Sequence, residues 1–352
     1  MTLFYDPFDA DEEDDFLEHE QKRGDRETEK FLNRVKSNDS SLKSQSFDFS
    51  MTNKQFMDVI ETLKHASHLQ CLEFYHWGIL VSNEDELLSL FLATLSSLNC
   101  ISHLALKSCG VTGTGIQRIW EFLAGDRNLQ SLDLSRNMLG GIRHEENLVF
   151  SFISLSHQFV ALEEMNLSAT GLTSKSISAL LTGLGENSML KSLDISHNIE
   201  SLPELLECLL PFLKSTRLRK LVLTKGASSA TCIDAQVKDS MTVLQLTEDA
   251  VKQNSSLCSF GPLFILPVDK HANSETKQAY LVCAQILQRI QFYLQRNRLR
   301  YKISVIGGAN GKPGLYPAHH LVETLASCID DPSSVHYFLR EAACLMQQEV
   351  SK

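Results

Sequence analysis

Apolar and polar positions follow one template through the middle of the chain. A leucine-type residue stands at the first, fourth and sixth places, and an amide or small residue at the ninth. Leu129–Asn137 reads LQSLDLSRN, and Leu190–Asn198 reads LKSLDISHN. Side chains two apart share one face of an extended chain, so the fourth and sixth residues mark a short strand. Further copies keep a spacing of 28 residues: Ile101–Cys109 before Leu129, Leu162–Thr170 before Leu190, and Leu218–Gly226 after it. Looser copies lie at Leu69–Trp77 and around Phe47, and Leu257–Phe260 gives one more just before Pro262.

Between the strands the period changes to that of a helix. Ile116, Ile119, Trp120 and Leu123 share one face, as do Ile177, Leu180, Leu181 and Leu184. Strand, turn, helix and turn make one coil, which cannot bury its apolar face without neighbours. The coils are therefore expected to stack as one continuous solenoid. At the ninth place an Asn amide can satisfy backbone groups that a tight turn leaves unpaired, and stacked copies make a ladder.

The stretches Asn128–Asn137 and Asn187–Asn198 resemble the leucine-rich repeats of the ribonuclease-inhibitor type, with their N-xx-L-xx-L-x-L-xx-N pattern. The resemblance covers about residues 42 to 265. Cys109, Thr170, Gly226 and Trp77 replace the Asn. Cys and Thr are common stand-ins, and Trp77 is not. The resemblance implies an α/β leucine-rich-repeat horseshoe, a right-handed β/α solenoid of about six to eight coils. It says much about fold and little about function, because the scaffold serves many purposes.

The flanks differ from the repeats. Nine carboxylates fall between Asp6 and Glu20 without a Lys or Arg, and setting them aside takes the net charge of −10 to −1. Residues 1–40 are read as an acidic, disordered tail with a short helix near Glu27–Lys36; the alternative is a segment that docks on a partner or caps the first coil. Residues 41–269 are the repeats. They hold an irregular insertion at 227–240, because the strand starts at Leu218 and Leu257 are 39 residues apart rather than 28. Residues 270–352 form a helical C-terminal cap region. A long helix starts near Ser274, a Gly-rich linker follows YKISVI, and two short helices span 319–329 and 335–349.

Composition narrows the class. A nearly neutral body is no footprint of a nucleic-acid binder. No run of about 18 apolar residues is present to span a membrane. The first residues lack the basic and apolar parts of a secretory signal. Nine Cys, an odd number without a CxxC pair, fit a reduced, cytoplasmic setting.

Enzymatic motifs fail on inspection. Gly311-Lys312 is followed by Pro313, so the hydroxyl of a phosphate-binding loop is missing; His144-Glu145-Glu146 lacks a second zincin His; no G-x-S-x-G is present. No catalytic residue, metal site or cofactor is called for. The candidate site is the outward row of the strands on the concave face: Glu73, Tyr75, Lys107, Asp133, Glu164, Asp194 and Lys220. These residues suit a monomeric scaffold that binds a protein partner through polar contacts. Short arrays of this kind resemble effectors that intracellular bacteria deliver into host cytoplasm, and they also resemble small cytosolic repeat proteins of eukaryotes. Two alternatives stand beside the scaffold: an enzyme with a catalytic region at 270–352, and an oligomerising cytosolic adaptor.

Overall fold

The computed structural model describes residues 10–49, 51–75, 84–98, 100–125, 128–140, 145–185, 189–198, 209–213, 217–223, 233–260 and 274–309. Within these it describes the backbone alone for 10–20, 233–240 and 299–309, among others. The chain divides into two compact units, Met1–Cys208 with Thr224–Ser228, and Leu209–Leu223 with Ser229–Lys352. Periodicity did not mark that division, since the 28-residue spacing runs through it.

In the first unit six parallel strands pair in sequence order: β1 (Ser44–Phe47), β2 (Cys71–Tyr75), β3 (His103–Lys107), β4 (Ser131–Asp133), β5 (Glu164–Asn166) and β6 (Ser192–Asp194). Helices alternate with them: α1 (Ala10–Lys36), α2 (Asn53–Leu63), α3 (Glu84–Ser96), α4 (Gly113–Gly125), α5 (Glu145–Leu155) and α6 (Ser174–Leu184). The second unit holds β7 (Lys220–Val222) paired parallel with β8 (Ser259–Phe260), α7 (Ile233–Gln253) and α8 (Ser274–Ala309). Parallel strands joined through helices are the β/α arrangement that the repeat implied.

The core lies where the template put it. Leu72, Phe74, Leu104, Leu106, Leu132, Leu134, Met165, Leu167, Leu193 and Ile195 are each 2% exposed or less. The apolar faces of α4 and α6 are buried as well. At the start of the array the core is aromatic: Phe47 stacks on Phe74 with centroids 5.1 Å apart, and Phe56 and Phe91 pack on Phe74. The local starts follow helix-capping chemistry. Thr52 and Gln55 form a reciprocal capping box on α2, and the Thr173 hydroxyl accepts from Ser176 N on α6.

Three expectations about the flanks change. The tail expected over 1–40 is helical from Ala10 to Lys36, and its second half caps the first coil. Phe31 meets Phe47 edge-on at 5.4 Å, Val35 is buried, and Arg23 makes two bonds to Asp48 at 2.7 and 2.8 Å. Gly24 lies so close to Phe49 that a Cβ would come within 2.8 Å of its ring. The insertion at 227–240 lies outside the described residues up to 232, and from Ile233 it is the start of α7. The extra residues thus lengthen a helix: α7 has 21 residues where α4 has 13 and α6 has 11. The Gly-rich linker begins inside α8, whose backbone stays helical to Ala309. The helices expected at 319–329 and 335–349 lie outside the described residues.

Candidate protein-binding face

The ninth-place residues form the ladder that fixes the turns after the strands. Asn198 Oδ1 accepts from the amides of Thr170 (2.8 Å) and Leu172 (3.2 Å) in the preceding coil. Its Nδ2 donates to the carbonyls of Leu167 (2.6 Å) and Ile195 (3.1 Å). Asn137 repeats the pattern one pair of coils earlier, accepting from Cys109 N and Val111 N and donating to Leu106 O and Leu134 O. The stand-ins do part of the same work. Thr170 Oγ1 donates to Leu167 O at 2.7 Å, and Cys109 Sγ to Phe74 O at 3.4 Å. Each amide is buried, so its bonds satisfy groups that water does not reach.

The side of the sheet opposite the core carries the candidate residues. Register places Glu73, Ala105, Asp133, Asn166 and Asp194 in one row across β2 to β6, and pairs Tyr75 with Lys107 beside it. Four of the seven candidates are bonded to one another. The Tyr75 hydroxyl donates to Glu73 Oε2 (3.1 Å) and accepts from Lys107 Nζ (3.2 Å), and that ammonium lies 4.9 Å from the Tyr75 ring centre. Lys107 also reaches Asp133 Oδ2 at 3.3 Å, and Asn166 Nδ2 donates to the same oxygen at 3.0 Å. Burial draws the Lys107 pKa down, but the Tyr75 bond and the Asp133 charge outweigh it, so the ammonium is held above its ordinary range.

The other three candidates stand apart from this chain of contacts. Glu164 is exposed and accepts from Ser131 Oγ at 3.4 Å. Asp194 is half-buried at the β6 end of the row. Lys220 is exposed on β7 in the second unit. Asn166, central to the network, was not among the candidates.

The structure also gives the carboxylates a second task. Asp133 Oδ1 accepts from Ser135 N, Asn166 Oδ1 from Ser168 N, and Asp194 Oδ1 from Ser196 N, at 2.9 to 3.0 Å. These are Asx turns, and the recurring Asp/Asn-x-Ser was their sequence signal. They lead into a residue with positive φ at the eighth place of the coil, Arg136 (59°), Ala169 (53°) and His197 (60°), and Ser108 (52°) holds the same place and conformation in the coil that has Ala105 instead. One carboxylate oxygen of Asp133 and of Asp194 is thus engaged in its turn, and the second oxygen of Asp133 is engaged by Lys107 and Asn166.

Parallel strands joined by helices, a buried leucine row and an amide ladder together define a leucine-rich-repeat protein. No family model matches the chain. Over 117 residues it is 35% identical to NACHT, LRR and PYD domains-containing protein 14 of Mus musculus; the match takes in 33% of this chain and 11% of the mouse protein. Among solved structures it is similar to the tropomodulin C-terminal domain of Caenorhabditis elegans, with TM-score 0.22 and 13% identity, over 80% of this chain and 98% of that chain. It is also similar to the actin-binding site 2 segment of leiomodin-1, with TM-score 0.20 and 14% identity, over 78% and 95% of the two chains. Among the described residues no helix is long and apolar enough to cross a membrane.

Proposed function

We propose that the chain is a binding scaffold that takes a protein partner on the exposed strand face of β2 to β6, and that the partner presents basic groups there. The observation that carries this is the make-up of the outward positions. Glu73, Asp133, Glu164 and Asp194 set four carboxylates against the single ammonium of Lys107, with no large aliphatic residue among them. The face is preorganised, because the Asx turns and the Tyr75–Lys107–Asp133–Asn166 contacts fix its side chains before a partner arrives. Charge on such a face raises encounter rate and selects orientation, while Tyr75 offers an aromatic anchor.

A reducing compartment, the cytoplasm, fits the same proposal. Cys71, Cys100, Cys258 and Cys283 are free, and burial pushes the Cys258 and Cys283 thiols up, so they stay protonated. A resident cytosolic protein and an effector delivered into a host cell would use this face alike; the origin of the partner decides between them.

The test starts from affinity capture on the full chain, followed by titration of the captured partner. Glu164→Lys reverses an exposed charge, and Asp194→Asn removes a charge while keeping the Oδ1 acceptor of its turn, as Asn166 already does. The double variant should fold like the parent and bind several-fold more weakly, and added salt should weaken the parent more than the variant. Parent-like affinity in the double variant would move the site away from this face.

A further inference from the structure

The end of the array contains the makings of another coil. The turn from helix into strand runs Asn-x-x and then the first template position, as in Asn187-Ser-Met-Leu190 and Asn254-Ser-Ser-Leu257. Asn254 is 2% exposed; its Nδ2 donates to Leu213 O, and its Oδ1 accepts from Ser256 N and Leu257 N. Helix α8 lies beside α7 and runs in the same direction, since Arg289 meets Glu248, Arg296 meets Lys252 O, and Asn297 meets Asn254 O. Asn297 is 0% exposed and donates to Asn254 O at 2.8 Å and to Leu257 O at 2.9 Å. Like Asn254, it is a buried amide that donates to backbone carbonyls of the coil before it, here Asn254–Phe260.

The next bond continues the parallel. Within the second unit Arg219 O accepts two amides of the following coil, Cys258 N (2.7 Å) and Ser259 N (2.9 Å). One coil on, the equivalent carbonyl is Cys258 O, and the Arg298 guanidinium donates to it from Nε at 2.7 Å. A side chain of α8 fills the donor place that the amides of a further strand would fill.

The sequence from that point fits the repeat. Asn297–Gly308 reads NRLRYKISVIGG, which puts Arg300 at the first place, Ile303 at the fourth, Val305 at the sixth and Gly308 at the ninth. Gly226 holds the ninth place in the same way. Gly307 falls at the eighth place, where four earlier coils have φ between 52° and 60° and where Gly is the residue best suited. As helix the stretch is poorly chosen: Ile303, Val305 and Ile306 are β-branched, and each Gly costs about 1 kcal/mol relative to Ala in a helix interior. Only Arg300 breaks the apolar template, since an unpaired guanidinium in a buried position is expensive.

We propose that Arg300–Gly308 is a latent ninth coil, a segment held as the end of α8 that can convert to a strand paired parallel with β8. The register would set Ser259 opposite Lys302 and Phe260 opposite Ile303. On conversion the amides of Tyr301 and Lys302 replace Arg298 at Cys258 O, and Asn297 keeps its bonds. Among the described residues no strand follows β8 in the sheet order, and this segment of the same chain is the occupant of that edge.

The experiment uses the full chain, deuterated and labelled with 13C at Ile and Val, and reads the Cα and Cβ secondary shifts of Ile303 and Val305. The parent should show helical shifts. Arg300→Leu restores the template and should turn both residues to extended shifts, while Arg298→Ala, which frees Cys258 O, should move them the same way. Adding Gly307→Ala and Gly308→Ala to Arg300→Leu favours helix and disfavours positive φ, so the helical shifts should return. Helical shifts in both the Arg300→Leu and the Arg298→Ala chains would overturn the proposal. A strand in Arg300→Leu that survives the two Gly→Ala changes would overturn the assigned register.

Discussion

Replacing Asn198 by Ala tests the ladder that holds the coils in place. The change strips the acceptor from Thr170 N and Leu172 N, whose residues are 0% and 1% exposed, and the donor from Ile195 O. Leu167 O keeps a partner, because Thr170 Oγ1 still donates to it at 2.7 Å. Two buried amides left without acceptors cost about 1–3 kcal/mol each, so a loss of about 2–6 kcal/mol is expected. At about 2–4 °C per kcal/mol for a unit of this size, the melting midpoint should fall by about 10 °C. Asn198→Leu separates bonding from packing: it refills the volume and restores no bond, so it should lose about as much as Ala. Circular dichroism against temperature gives the midpoint, and hydrogen exchange reads the Thr170 and Leu172 amides directly. A loss below about 1 kcal/mol, with both amides still slow to exchange, would refute the ladder as a source of stability.

Two further predictions concern acid and backbone. Bonds from the Ser41 hydroxyl, the Arg34 side chain and the Ser41 amide hold the Asp39 carboxyl at about 2, below its usual range near 4. A depressed carboxylate stabilises above its unfolded pKa and loses that contribution as pH falls through the folded value, so Asp39→Asn should flatten the stability profile between about pH 4 and 2; an unchanged acid limb in urea titrations would count against it. Ala169→Gly relieves a left-handed residue that costs roughly 1–2 kcal/mol and should stabilise by a fraction of that once the unfolded chain's added freedom is subtracted. Gly140→Ala should do the reverse strongly, because its Cβ would fall 1.6 Å from Gly171 O in the next coil; equal melting midpoints for the two variants would contradict both.

Much of the fold could be read from the chain because the repeat samples one physical constraint many times. Leu132 and Leu134 alone suggest a strand; the same pair at 104 and 106, and again at 193 and 195, requires a stack. Even the short copies at Phe47 and Phe260 became strands, since a neighbouring coil supplies the pairing that two or four residues cannot secure. Features that occur once were harder to see. In α1 the buried positions Gly24, Thr28, Phe31 and Val35 keep a helical spacing, but the carboxylates before them dominated the composition. The 39-residue spacing showed that residues were added and could not show that they would extend a helix. Within the site, the row from Glu73 to Asp194 followed from register. The double duty of Asp133 and Asp194 did not, because it depends on which oxygen points into the turn.

The central claim, that the strand face is where a partner sits, is tested most directly by a hydrogen-exchange footprint of the full chain with and without its captured partner. The account predicts that slowed exchange concentrates in 71–75, 103–108, 131–136, 164–169 and 192–197, where strands run into their turns. Protection confined to helices α3 to α6, or to the segment at 227–240, with the strand peptides unchanged, would contradict it.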